Sequence, residues 1–144
     1  ACGCGANALA LLTGNPSENF GARREDWTSK IMRVYLRKHN FIFEKLTKCA
    51  VTNTRFWNHA AIGHQHVVLM SIKLMQNEAS WVVVYQERMY HNFEITKMKP
   101  YELLNHPIME ALIIKHPSWD EPVLPRRPVL WPSGPGMPKL YGEP

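Results

Sequence analysis

Three groups of side chains in this chain could carry chemistry by type and spacing. Cys2 and Cys4 form a Cys-x-Cys pair, His59, His64 and His66 cluster mid-chain, and Arg23, Arg24, Lys30, Arg33, Arg37 and Lys38 crowd one short stretch, with Arg126 and Arg127 set apart from it. Thiols and imidazoles bind metals, but a structural zinc needs four ligands. Cys2 and Cys4 supply two, and Cys49 is the third and last thiol. On a helix His64 and His66 would point about 200° apart, whereas a helical metal pair needs i and i+4. On a strand they would share a face, yet no neighbouring carboxylate or thiol completes a set. The cysteines therefore read as an incidental pair on an arm, and no metal is expected. No thioredoxin-type Cys-x-x-Cys and no glycine-rich phosphate loop is present, and no Ser, Cys or Lys can be matched to a base from the sequence. The expectation is a protein that is not an enzyme and holds no cofactor.

The basic cluster is different, because phosphate contact needs positive charge within reach rather than one exact geometry. A net charge of +5 on 144 residues and a pI near 9.2 lean towards an anionic partner. Hydrophobic residues at 45% and charged residues at 20% are ordinary for a globular chain, and one core is expected at this length. The odd cysteine count fits a reducing compartment better than a disulfide framework. The longest apolar run, Val67 to Met75, contains Lys73 and falls well short of the roughly 18 residues of a membrane span, so no membrane insertion is expected. A first residue Ala1 rather than methionine is compatible with removal of a targeting peptide, and import into an organelle is the corresponding expectation.

The elements that must position these residues follow from periodicity. Residues 1–26 mix small residues with Gly and Pro and read as an N-terminal arm whose Ala/Leu patch can form one or two helical turns. From Trp27, apolar Ile31, Val34 and Tyr35 recur at three and four residues, with Lys30, Arg33, Arg37 and Lys38 between them, which predicts an amphipathic helix capped by Asp26 or Thr28. A strand is expected between Phe41 and Thr54. The next segment supports two readings. Val68, Met70, Ile72 and Leu74 alternate as in a strand that would form a hairpin through "QNEAS", while Trp57, Ala61, His64, Val68, Ile72 and Met75 fit one face of a helix. "WVVVYQ" is a buried strand, "MYHNFEIT" another, and "YELLNHPIMEALIIKH" carries helical spacing interrupted at Pro107, after Pro100 at a helix start. From Pro117 the chain holds eight of its eleven prolines and reads as an extended tail. Trp119, Leu124, Leu130, Trp131, Leu140 and Tyr141 give that tail spaced anchors for another surface. The domain is thus residues 27–116, between an arm at 1–26 and a tail at 117–144.

The order and spacing of "KIMRVYL", "NFIF", the Asn53 connector, "GHQHVVLMSIKL", "WVVVY", "NFEIT" and "PYELLNHPIMEAL" resemble the small-subunit mitochondrial ribosomal protein family numbered twenty-five. That family shares a thioredoxin-like domain with a large-subunit mitoribosomal protein and an accessory subunit of respiratory complex I. The resemblance spans roughly 80 residues as a pattern of residue types. It implies an α/β fold, a thioredoxin-like small mixed sheet flanked by helices in β-α-β-β-α order. In that order the segment after Gly63 is a helix, with Val68, Ile72 and Met75 facing the sheet, and this settles the open choice above. It further implies a structural component of the mitochondrial ribosome's small subunit, in the mitochondrial matrix, contacting ribosomal RNA and neighbouring mitoribosomal proteins and supporting mitochondrial translation. The contacts fall to Arg23, Arg24, Lys30, Arg33, Arg37, Lys38, Arg126 and Arg127. Two departures stand out. His64 and Gln65 replace the small residue and Arg that commonly follow the glycine, and no cysteine follows Cys49, so the iron–sulfur cluster of animal members does not carry over. The alternative is an accessory structural subunit of a mitochondrial respiratory complex.

Overall fold

The computed structural model describes residues 4–15, 20, 27–46, 66–75, 78–92, 94–97 and 106–119. They form two helices, α1 (Cys4–Thr13) and α2 (Ser29–Lys38), and six strands: β1 (Ile42–Lys45), β2 (Val67–Met75), β3 (Glu78–Tyr85), β4 (Arg88–His91), β5 (Glu94–Lys97) and β6 (Ile108–Lys115). The strands make a single sheet in the order β1-β6-β2-β3-β4-β5, and every pairing is antiparallel. The fold is mixed α/β, as expected, but the β-α-β-β-α order is not what the described residues build.

The segment assigned to a helix is strand β2, and its pairing shows why. Val68 lies opposite Val84, Met70 opposite Val82 and Ile72 opposite Ser80 on one side, while Val68 meets Ile113 and Leu69 meets Leu112 on the other. With neighbours on both edges and both faces covered, Val67, Val68, Leu69, Met70 and Ile72 are all buried. A strand buried on both faces reads as a continuous apolar run, which periodicity cannot tell from a helix. The hairpin reading was the correct one, and Ile72 faces its cluster from within the sheet.

The residues expected to be helical after Pro107 form strand β6, inserted between β1 and β2. "IMEALIIK" mixes the helix formers Met, Glu, Ala, Leu and Lys with three β-branched isoleucines, and burial of six of its eight residues in the sheet outweighs the local preference for helix, since strand propensity depends mainly on packing. Pro107 sits just before the strand, where a missing amide costs no ladder bond, and its carbonyl accepts from Lys73 N–H at 2.9 Å. Met109 is an extra residue in β6: Glu110 pairs with Ser71 while Ile108 pairs with Ile72. This bulge leaves Met109 exposed and puts Ile108 on the opposite face from Glu110.

"MYHNFEIT" is two strands rather than one. β3 and β4 close through Gln86 and Glu87, both at positive φ (49° and 59°), and β4 turns into β5 at Asn92, φ 47°. The edge strands carry exposed charges, Glu44 and Lys45 on β1 and Glu94 and Lys97 on β5, which discourages pairing with another chain.

Both helices lie on one face, over Val67, Leu69, Trp81, Val83, Tyr85, Tyr90, Leu112 and Ile114. The other face gathers Val68, Met70, Ile72, Val82, Val84, Ile108 and Ala111, flanked by Leu46 and Met89. The stretch expected to be a detached arm contains α1, whose residues from Cys4 to Leu12 are all buried. It packs on β3 and β4. Cys4 Sγ accepts from Trp81 N–H at 3.4 Å, so this thiol is a core group rather than one on an arm. Asn7 donates to Asn92 Oδ1 at 3.0 Å, and Gly14 at φ 74° ends the helix with its amide on Ala10 O, the left-handed stop that glycine provides. Of the tail, residues 117–119 are described, and Trp119 packs on the chain's own core; residues 120–144 lie outside the described residues. No helix among the described residues is long and apolar enough to cross a membrane.

Candidate nucleic-acid interface

The basic helix forms where its periodicity places it, with local signals at both ends. Thr28 is the N-cap, its hydroxyl accepting from Ile31 N–H at 3.3 Å. The helix stops at Asn40, φ 66°, where Asn40 N–H bonds Arg37 O at 3.0 Å and Phe41 N–H bonds Leu36 O at 2.9 Å. Those bonds satisfy carbonyls the last turn leaves open. Met32 and Leu36 are the buried anchors. Ile31 and Tyr35 are half-buried, while Val34, expected on the apolar face, is 54% exposed.

At about 100° per residue, Lys30, Val34, Arg37 and Lys38 fall on one outward arc, and all four are exposed. Arg33 lies at its margin and is differently employed. It forms an ion pair with Glu110, whose side chain is 8% exposed against 28% for Arg33. Pairing the carboxylate is what makes its burial beneath α2 tolerable. Phe43 of β1 lies below both arginines, 5.8 Å from the Arg33 guanidinium and 5.2 Å from that of Arg37, and Lys38 stands 6.0 Å from the Tyr35 ring. These distances suit cation–π attraction. Lys45 shares the face of Phe43, because its partner Leu112 and that of Phe43, Ile114, both belong to the helix-covered cluster.

Of the eight expected contacts, then, the fold brings together Lys30, Arg33, Arg37 and Lys38. Arg23, Arg24, Arg126 and Arg127 lie outside the described residues, as do His59 and His64 of the histidine cluster. His66 is half-buried just before β2. Among the described residues no group of three or more metal-ligating side chains converges. Reading the sequence missed Glu110, which cancels one charge, together with Phe43 and Lys45, which complete the patch. Alternation through "FIFEK" is the signal that could have put Phe43 and Lys45 on one side.

Beyond the end of α2 a cleft of about 170 Å³ opens between Leu12, Thr13, Asn15, His39, Phe41, His116, Ser118 and Trp119. Phe41 is its buried floor, meeting His116 and Trp119 edge-on at 4.8 and 5.4 Å between ring centres. Ser118 N–H donates to His116 Nδ1 at 3.1 Å, so the proton is on Nε2, which donates to His39 O at 2.9 Å. The Ser118 hydroxyl also points at Nδ1, at 2.7 Å. The lone pair that a general base would use is thus shared with the serine's own amide, an arrangement that positions the hydroxyl rather than activating it. Burial, then the nearby Lys38 and His116, hold His39 below the usual imidazole range.

No family model, curated protein or solved structure matches this chain. What the chain does has to be read from these two adjoining surfaces, the cationic outer arc of α2 and the aromatic cleft at its end.

Proposed function

We propose that this chain is a non-catalytic structural protein that contacts RNA phosphates through the outer face of α2, as a constituent of the small subunit of the mitochondrial ribosome in the matrix. The observation that carries the RNA contact is the row of Lys30, Arg37 and Lys38, exposed on one arc of a helix anchored by Met32 and Leu36. None of the three has an acidic partner among the described residues. Phosphate binding is driven by release of counterions and is indifferent to base sequence, which a rigid row of cations without built hydrogen-bond geometry can supply. The choice of assembly rests on the resemblance in residue pattern alone, since strand β2 removes the thioredoxin-like architecture the resemblance implied.

Binding of a ten-residue RNA of mixed sequence should weaken as salt rises, with a log–log slope of about −2 for three phosphates on a single strand. Reversing Lys30, Arg37 and Lys38 to Glu should abolish it with the fold intact. Unchanged affinity in that variant would overturn the RNA reading. Sedimentation of the native protein with small ribosomal particles tests the assembly, and its recovery instead with solubilised inner-membrane complexes would return the respiratory-complex alternative.

A further inference from the structure

We propose that the cleft between Asn15, His39, Phe41, His116, Ser118 and Trp119 takes one unpaired base of the RNA, stacked on the rings that line it while α2 holds the adjoining phosphates. The inference rests on the RNA reading of α2 and deepens it. The cleft begins at His39, the residue directly after Lys38, so a strand lying along the arc arrives at it without crossing the sheet. Its size decides the occupant: about 170 Å³ is below the roughly 300–1,000 Å³ of pockets that enclose a drug-sized ligand, but has room for one planar heterocycle.

The lining suits such a ring. Half-buried His116 and Trp119 are tilted 39° to one another at 5.9 Å, and each meets the ring of Phe41 in a T-shaped contact. His39 is braced in turn by Phe20, 5.2 Å away. Preset rings lower the ordering cost of binding, and single-stranded RNA is held by stacking of this kind on Trp, Phe and His. Both nitrogens of His116 are engaged, which leaves the face of its ring as what it offers a ligand. Polar groups stand at the rim. The Ser118 hydroxyl, directed at His116 Nδ1 at 2.7 Å, keeps oxygen lone pairs that can accept from a base N–H. The Asn15 carboxamide brings a donor and an acceptor together, the pair that a base edge requires.

The test compares the full chain's affinity for the same ten-residue RNA and for its abasic counterpart, which has equal charge and no bases, alongside a titration with the uncharged nucleosides adenosine and uridine. The natural strand should bind about tenfold more tightly, the scale of one stacked base. Asn15→Ala and Trp119→Leu, each checked for an unchanged circular dichroism spectrum, should remove that advantage and leave abasic binding as it was. Equal binding of natural and abasic RNA by the unmodified chain would overturn the cleft while sparing α2. If neither strand binds, the α2 reading falls, and the nucleosides decide the cleft alone: a saturable shift of the Trp119 indole resonance, absent in Trp119→Leu, supports it, and no shift overturns it.

Discussion

Helices α1 and α2 are each ten residues long and lie on the same face of the same sheet, but α1 has no wet side and α2 has one that is almost wholly cationic. Every residue of α1 from Cys4 to Leu12 is buried, and the helix contains no ionisable side chain except the Cys4 thiol. In α2 just Met32 and Leu36 are fully buried, and Lys30, Arg37 and Lys38 reach solvent. The contrast separates two jobs. A helix covered on all sides contributes apolar burial, while a helix anchored along one narrow stripe can present charge without staking the fold on it.

The largest effects should come from α1. Leu9 is fully buried among Leu11, Leu12 and the sheet residues, so Leu9→Ala should cost about 2–5 kcal/mol, transfer and cavity together, as read by urea unfolding. RNA affinity per folded molecule should not change. Next comes Gly5, where a Cβ would collide with the Trp27 ring. Gly5→Ala must displace that indole, whose backbone carbonyl accepts from Trp81 Nε1 at 2.8 Å. A loss of about 1–3 kcal/mol is expected despite alanine's better helix propensity; a stabilised variant would show that α1 is not locked against Trp27.

These contrasts also explain what could be read in advance. α2 was legible because a helix with one wet face writes its period into the sequence, even though Val34 was put on the wrong side. β3 was legible because Trp81, Val82, Val83 and Val84 have no helical spacing. α1 was not, since a helix without a polar face has no period, and its alanines and glycines look like those of an arm. β2 and β6 were misread for a related reason, that their burial comes from strands distant in sequence, Val68 against Ile113 and Leu69 against Leu112: periodicity left β2 open between strand and helix and the resemblance chose the helix, while for β6 helical spacing and the resemblance both pointed to one. The cleft draws on residues 12–15, 39–41 and 116–119, three segments brought together only by the fold, and no spacing motif could reveal it.

Intermediate effects should come from groups that tie α2 to the sheet. Glu110→Gln leaves Arg33 half-paired over a buried site. Because Arg33 still reaches water, the cost should be about 1–2 kcal/mol, below the roughly 3–5 of a pair broken in full burial. Arg33→Met combined with Glu110→Leu should recover most of it, and RNA affinity should hold throughout, which would distinguish Arg33 from Lys30, Arg37 and Lys38. Acid should act more gently. Burial depresses both His39, at the end of α2, and His91, where Glu94 partly opposes it. With folded values below the unfolded value of about 6.5, the unfolded chain binds more protons as pH falls through that value, so stability is full above it and declines below. The melting temperature should drop between pH 7.5 and 5.5, and less so in His91→Gln, whose Nε2 is buried without a partner. An identical drop in that variant would place the acid sensitivity elsewhere.

The smallest effect on the fold should be the most informative about function. Arg37 is exposed and touches the domain chiefly through Phe43, at 5.2 Å. An exposed cation–π contact is worth about 0.5–1 kcal/mol, and part of it should persist because Arg33 lies over the same ring at 5.8 Å. Arg37→Gln keeps the stem that covers Phe43 and removes the charge, so its unfolding midpoint in urea should shift by less than about 1 kcal/mol in free-energy terms. If α2 presents its cations to phosphate, the same substitution should weaken RNA binding severalfold and make the salt slope shallower by about 0.7, the contribution of one phosphate contact to a single strand. Loss of stability equal to that of Glu110→Gln would put Arg37 among the groups that hold α2 down. Unaltered stability with an unaltered salt slope would mean that its charge faces only solvent. The two helices would then differ in wetness but not in purpose.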